Sequence, residues 1–261
     1  MSSNEASTAA ALFRLRSMQR KRKRTSVGAS VRPNYFLSVR CDDGRLRERA
    51  AEIQALATER DASLLNFQTP IAKFHITLFV MALQSKAAVA EAKAALQDFQ
   101  WPVSDLPLPD PNDLHLTFTT LGGFKDQVVF IPPEPSPSMD VLRQLTAALH
   151  KHYADKQLVE EGSFEGEAWS PHATLFKTSK ARKRPASGGR HRIRKEAWEG
   201  LGEAVKEKHQ EPDLGIQRIE AVELLEMSRM AQDGFYRCRA RIEIADLAIP
   251  LSGSNSNNSG P

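Results

Sequence analysis

Two short segments of this 261-residue sequence carry side chains that could do acid–base chemistry. They are His75-Ile-Thr77-Leu78 and His172-Ala-Thr174-Leu175, each of the form His-x-Thr-Leu. On a β-strand side chains alternate between faces, so a His and the Thr two residues later point the same way. The repeat therefore predicts an imidazole beside a hydroxyl, twice. Brought face to face, the two pairs would offer one acid, one base and two hydroxyl donors around a single phosphate.

The repetition matters more than either copy. A lone His on a strand is more often a packing or surface residue than a catalytic one, so one motif alone would indicate little. The two copies lie 97 residues apart, which suits one copy in each half of a domain. Each also continues into an aromatic residue, Phe79 in the first and Phe176 in the second. The match between the copies favours a catalytic pair.

Composition limits the class of protein. Hydrophobic residues make up 41% of the chain, which is enough for a core. No apolar run approaches the roughly 18 residues of a membrane-spanning helix, and the N-terminus lacks the apolar centre of a signal peptide. Only Cys41 and Cys238 are present, without a Cys-x-x-Cys pair, which favours a reducing compartment and argues against structural zinc. We therefore expect an intracellular protein without a membrane anchor.

Positive charge is concentrated in two places, although the net charge is only +4. One cluster ends in residues 20–24, Arg-Lys-Arg-Lys-Arg, and the other lies within residues 178–195. Both could be solvated segments without a specific role. The first is also typical of a nuclear-localisation signal, so the expected location is cytoplasmic, nuclear or both. The second, directly after the second motif, could steer a polyanionic substrate.

Strands and helices alternate between two polar ends of the chain. We predict a disordered basic segment over residues 1–31, a folded domain over 32–245 and a disordered Ser/Asn-rich tail over 246–261. Gly122-Gly123 is predicted to be a hairpin turn. The mixture of hairpins and helices predicts an α+β fold rather than a parallel sheet. The expected strands cover 35–40, 74–81, 114–121, 127–131, 169–177, 217–227 and 235–244, and the expected helices cover 45–65, 85–99, 139–149 and 196–208.

Other chemistries find less support in the sequence. His150 and His152 are two apart on a predicted helix and so face different ways, which disfavours a metal site. A third His-x-Thr occurs at His115 and Thr117, but we expect its His to pair with a neighbouring strand. There is no Gly-Lys-Ser/Thr phosphate loop and no Gly-x-Ser-x-Gly elbow. We expect no metal and no cofactor.

Five segments follow one another in an order that is typical of a known family: 33–38 (Pro-Asn-Tyr-Phe-Leu-Ser), 75–81, 127–131, 171–174 and 234–238. On these segments the chain resembles the 2H phosphoesterase superfamily over about residues 33–245. Within it, the chain is similar to the subgroup of the nuclear-type domain of A-kinase anchoring protein seven and the related domain of leukocyte receptor cluster member nine. The resemblance implies a bilobed α+β fold, with two antiparallel sheets flanked by helices around a central cleft.

The resemblance also implies an activity: a metal-independent phosphodiesterase acting on 2′,5′-linked oligoadenylates or related nucleotides. His75 and His172 would be acid and base in an order left open, and Thr77 and Thr174 would hold the phosphate. Water or a ribose hydroxyl could attack. Two enzymatic alternatives stay open, a 2′,3′-cyclic nucleotide phosphodiesterase and an RNA 3′-end processing enzyme. A non-catalytic module that binds AMP or RNA is the third, but binding alone does not need two imidazoles.

The sequence also indicates which partners and substrate contacts to expect. Anchoring proteins of the subgroup continue into an amphipathic helix that binds a kinase regulatory subunit. Because residues 251–261 cannot form that helix, we expect no kinase regulatory subunit as a partner. We also expect no membrane contact, and a monomer that binds a 2′,5′-linked oligonucleotide or another RNA-like substrate. Candidate substrate-binding residues are Tyr236 and Phe176 for stacking on a base, and Lys177, Lys180 and Arg182 for neighbouring phosphates.

Overall fold

The computed structural model describes residues 32–101, 113–159, 169–180 and 191–247. From Pro33 onward these residues belong to one compact unit. The predictions for residues 1–31, for the tail beyond 247 and for Arg182 lie outside the described residues. In the described part of the chain, no helix is long and apolar enough to cross a membrane.

Antiparallel strands form two sheets in the described residues, and helices lie beside them. The seven-stranded sheet has the order β4-β5-β6-β2-β1-β8-β9, and β3 pairs with β7 in a separate two-stranded sheet. The predicted α+β class is confirmed. The strands are β1 Tyr35–Arg40, β2 His75–Met81, β3 His115–Phe118, β4 Gly122–Phe124, β5 Val128–Ile131, β6 Ala173–Lys177, β7 Gly215–Arg218, β8 Ala221–Met230 and β9 Tyr236–Glu243. The helices are α1 Gly44–Arg60, α2 Lys86–Gln97, α3 Pro137–Asp155, α4 Leu201–His209 and the short α5 Ile244–Leu247.

Short polar side chains set where the long helices begin. The side chains of Asp43, Ser85 and Ser136 accept hydrogen bonds from backbone N–H groups in the first turns of α1, α2 and α3. Such caps satisfy donors that have no partner within the helix. The predicted helix over 45–65 ends earlier, at Arg60, because Asp61 is extended and its carboxylate caps a separate 3-10 turn, Ala62–Asn66. The predicted helix over 196–208 begins at Leu201, after Gly200 with a φ of 75°.

The two motif strands share an irregularity that decides which side chains reach the core. In β2 the register against β1 skips Leu78, and in β6 the register against β5 skips Leu175. A bulge adds one residue to one strand and shifts the alternation that follows. The Leu and the Phe after it are therefore both buried in each motif, as Leu78 with Phe79 and Leu175 with Phe176. The sequence repeat thus reflects a structural repeat.

The prediction that Gly122-Gly123 forms a turn is wrong, because both residues lie in β4 and pair with β5. The turn is at Lys125 and Asp126, which adopt positive φ angles of 49° and 55°. The glycines are needed for ring packing instead. A Cβ on Gly122 would lie 2.6 Å from the Phe130 ring, and one on Gly123 would lie 3.0 Å from the ring of Trp198.

The strand predicted over 114–121 is shorter than expected and lies in a different sheet. It covers His115–Phe118 and pairs with β7, with His115 opposite Arg218. His115 is exposed on this two-stranded sheet. The third His-x-Thr therefore lies outside the sheet that carries the other two.

Candidate active site

The two motifs meet at the centre of the seven-stranded sheet. Strands β2 and β6 are antiparallel neighbours with Ile76 opposite Ala173, and both of these side chains are fully buried. The four motif side chains therefore point to the other face, where each is half-buried. The same register sets Thr174 across from His75 and Thr77 across from His172. Directly opposite Cβ atoms are about 5 Å apart and diagonal partners such as the two histidines about 7–8 Å, which leaves room for a phosphate.

Both imidazoles are oriented in the same way by the backbone. His75 Nδ1 lies 2.6 Å from the carbonyl oxygen of Lys73, and His172 Nδ1 lies 2.8 Å from that of Ser170. A carbonyl oxygen only accepts, so Nδ1 carries the proton in each ring. In the neutral ring the acceptor nitrogen is then Nε2. Each motif thus fixes the tautomer through the carbonyl two residues before its His.

Aromatic rings surround His75 on the β1 and β9 side. The Phe36 ring centre lies 5.0 Å from that of His75, and the Tyr236 ring meets it edge-on at 5.4 Å. The Phe235 ring lies 6.4 Å away, and the Arg40 guanidinium lies 4.2 Å from the Phe235 ring centre. Tyr236, predicted to contact substrate, is therefore beside the first catalytic candidate.

A second aromatic pair surrounds His172. The rings of Phe130 and Phe124 lie 5.0 and 5.2 Å from its ring, and the two phenylalanines are stacked on each other at 4.3 Å. Phe124 is 37% exposed, so one edge of this pair faces solvent. Burial lowers the pKa of His172 below its usual value of 6.5, and the positive charge of Lys177 acts in the same direction. His172 is therefore mainly neutral at pH 7.

The two threonines are also held by the sheet. On β1, Ser38 lies opposite Thr77 and Arg40 lies opposite His75, so polar side chains continue onto that strand, where Ser38 is fully buried. On β5, Phe130 lies opposite Thr174. The indole nitrogen of Trp169 donates to the Thr77 carbonyl oxygen at 3.3 Å. The backbone that carries the first His-Thr pair is thus tied to the residues that precede the second.

The prediction that Phe176 stacks on a base is wrong in this structure, because its side chain has no exposed surface. Strict alternation from His172 would put Phe176 on the same face as Thr174, but the bulge at Leu175 turns it into the core. Phe124 and Phe130 lie beside His172 instead, and no motif in the sequence marked them. The only signal was the glycine pair before Phe124, which allows the rings to pack.

The basic candidates lie at the end of β6 and beyond it. Lys177 is exposed at the end of β6, and its charge acts on His172. Lys180 lies in a 3-10 turn, Thr178–Lys180, and Arg182 lies outside the described residues. Within the described ranges, no group of three or more His, Cys, Asp or Glu side chains is placed to hold a metal ion.

Comparison with known proteins gives a family match over most of the chain. The family described as the AKAP7 2′5′ RNA ligase-like domain matches residues 33–244. Human A-kinase anchor protein 7 isoform gamma is 24% identical over 226 residues, which are 86% of this chain and 61% of that protein. The chain thus spans under two thirds of that relative's length.

Solved structures of low sequence identity share the fold. Escherichia coli LigT complexed with 3′-AMP superposes with a TM-score of 0.52 at 14% identity, over 81% of this chain and 97% of that one. The same protein complexed with NADP+ gives a TM-score of 0.50 at 15% identity, over 82% and 98% of the two chains. These similarities support the predicted 2H phosphoesterase fold.

Proposed function

The chain belongs to the AKAP7 2′5′ RNA ligase-like domain family, within the 2H phosphoesterase superfamily, and we propose that it cleaves 2′,5′-linked oligoadenylates or related 2′,5′-linked nucleotides. His75 and His172 would act as general acid and base without a metal ion. The observation that carries this proposal is the pairing of Ile76 with Ala173, which sets both imidazoles on one face of one sheet. The linkage rests on the family and not on the geometry.

The electrostatics of the site favour His172 as the base. Its lowered pKa makes it neutral near pH 7, and the hydrogen bond from Nδ1 to Ser170 leaves Nε2 to accept a proton. The attacking oxygen, from water or a neighbouring ribose hydroxyl, transfers its proton to this nitrogen as the new P–O bond forms. His75 then donates a proton to the departing oxygen as the old P–O bond breaks. Each such positioned proton transfer is typically worth about a hundred- to ten-thousand-fold in rate.

The remaining side chains of the face would hold the substrate. The hydroxyls of Thr77 and Thr174 donate to the non-bridging phosphate oxygens, where negative charge grows in the transition state. Tyr236 beside His75 and Phe124 beside His172 are the ring surfaces on which adenine bases would stack. Stacking on an aromatic side chain is worth about 1–3 kcal/mol per base. One aromatic wall per histidine suits a substrate with a base on each side of the scissile phosphate.

A substrate panel tests the proposed function. We expect release of AMP from 2′,5′-linked triadenylate well above release from the 3′,5′-linked isomer, with equal rates in the presence and absence of a chelator. The products would be separated by chromatography, with 2′,3′-cyclic AMP as a third substrate. Equal cleavage of both linkages would reassign the chain to RNA-end processing, and turnover of the cyclic nucleotide alone would reassign it to a cyclic phosphodiesterase.

The pH profile tests the assignment of the base. Since burial lowers the pKa of His172, the acid limb of kcat/KM should have its midpoint below pH 6.5, as His172 becomes protonated. Replacing Lys177 with Gln removes a charge that lowers this pKa, so the acid limb should move to higher pH. Lys86→Gln, on α2, is the control and should leave the limb in place. An acid limb whose midpoint lies above pH 6.5 in the unmodified protein would argue against His172 as the base.

A further inference from the structure

A groove of about 1090 Å³ lies beyond the β4–β5 hairpin, separate from the two histidines. One wall is the end of α1 and the 3-10 turn after it, and the other is the segment that leads into the 3-10 turn Lys195–Ala197. Its floor includes Asp126, at the tip of the hairpin. The residues that argue for a ligand are the basic side chains Arg60, Arg192, Arg194 and Lys195.

The backbone presents two of these arginines side by side. Ile193 is buried, and its N–H donates to the Asp126 carbonyl oxygen at 2.7 Å, so the segment is fixed against the hairpin. Arg192 and Arg194 flank this anchor and are both exposed. Arg194 has an extended backbone, and both arginines line the groove, one on each side of the anchor.

Two of the four basic side chains in the groove have protein partners. Arg60 donates to the Glu199 carbonyl oxygen at 2.9 Å, and the Lys195 ammonium lies 2.7 Å from the Glu199 carboxylate. Among the described residues, neither Arg192 nor Arg194 lies within ion-pair distance of a carboxylate. These two arginines are the groups placed to receive an anion from outside, and Arg guanidinium matches phosphate geometry.

Carboxylates in the same groove narrow the class of ligand. Asp61, Asp126 and Glu196 also line it, so it is not a uniformly cationic surface. Carboxylates accept hydrogen bonds from hydroxyl and amino groups, which nucleotides carry beside their phosphates. A groove with guanidinium groups and carboxylates side by side therefore fits a nucleotide phosphate better than a plain polyanion.

The groove is joined to the active site by one hairpin. Phe124 on β4 contacts His172, and Asp126 in the following turn holds Ile193. Trp198, just past the groove, faces Gly123 on the same strand. An oligonucleotide that crosses this hairpin would therefore extend from the histidines to the groove.

We propose that this groove binds a second phosphate of the same oligonucleotide, outside the bond held between His75 and His172. The inference rests on the proposed function, because it assumes that a nucleotide phosphate occupies the histidine site. Its consequence is length dependence. Long oligonucleotides would bind more tightly than short ones, through a contact that a mononucleotide cannot make.

Binding measurements test the groove separately from catalysis. The probe is a fluorescent phosphorothioate 2′,5′-linked hexaadenylate, with unlabelled AMP as the short competitor. We expect Arg192→Ala/Arg194→Ala to weaken hexamer binding roughly tenfold and to reduce the slope of log K against log salt by about 0.7, for the one lost phosphate contact. AMP binding should be unchanged. The matched control is Lys86→Ala/Arg218→Ala, which removes two exposed charges from elements outside the groove.

Two results would overturn the groove assignment: hexamer binding with an unchanged salt slope, or equal weakening of hexamer and AMP. The proposed function has a different failure, namely no turnover of any linkage in the panel. If turnover is absent and the hexamer still shows the expected length and salt dependence, the proposed function fails and the groove assignment stands. If the protein turns over a substrate of the panel and the salt slope of hexamer binding is unchanged in the double variant, only the groove assignment fails.

Discussion

Replacing either His75 or His172 with Ala is expected to lower kcat/KM for 2′,5′-linked triadenylate by about a hundred- to ten-thousand-fold. The double replacement should cost little more than the worse single one, because acid and base act in one event and their losses do not add. The measurement is steady-state cleavage by the four proteins, with single-turnover rates to separate chemistry from product release.

The third His-x-Thr supplies a matched control for this prediction. His115→Ala removes an imidazole from the same sequence pattern on β3, in the other sheet, and should leave kcat/KM unchanged. Thermal melting would show whether His75→Ala and His172→Ala remain folded, and His→Gln at either position preserves more of the packing. A folded His75 or His172 variant with near wild-type turnover would contradict two-histidine catalysis.

Replacing Thr77 or Thr174 with Val is expected to lower kcat by about a hundredfold while KM changes little. Val keeps the shape and removes a hydroxyl aimed at charge that develops in the transition state, and loss of one such donor typically costs about 10²–10³ in kcat. Thr→Ser at the same positions retains the hydroxyl and should recover most of the rate.

Thr117→Val is the control for the threonine series, since Thr117 occupies the same place in the motif on β3. It should leave both kcat and KM unchanged. If Thr77→Val and Thr174→Val raised KM and left kcat intact, the hydroxyls would bind the ground state and the transition state equally. A Thr→Ser variant as impaired as Thr→Val would point to lost packing instead of a lost donor.

Local patterns in the sequence predicted the parts of the fold that depend on neighbours along the chain. The strand Tyr35–Arg40 was predicted with both ends correct. Alternation within each motif predicted that each His shares a face with its Thr, and the residues between them, Ile76 and Ala173, are fully buried. These features follow from side-chain spacing of 2.0 and 3.6 residues, which a single sequence displays directly.

Features that depend on pairing across the sheet could not be predicted in the same way. The bulges at Leu78 and Leu175 arise from register against β1 and β5, so strict alternation put Phe176 on the wrong face. Gly122-Gly123 looked like a turn because glycine favours turns, whereas the structure uses the absence of a Cβ to admit the Phe130 and Trp198 rings. Phe124 could not be identified as a neighbour of His172 without that packing.

Nitrogen NMR of the ¹⁵N-histidine-labelled protein during a titration with AMP tests most directly whether both imidazoles engage one phosphate. We expect the chemical shifts of Nε2 of His75 and Nε2 of His172 to change over the same range of AMP concentration, with one dissociation constant. Nδ1 of each ring should stay protonated. His115 should not respond. A response from only one of the two histidines, different dissociation constants, or a protonated Nε2 with a free Nδ1 in either neutral ring would contradict the proposed site.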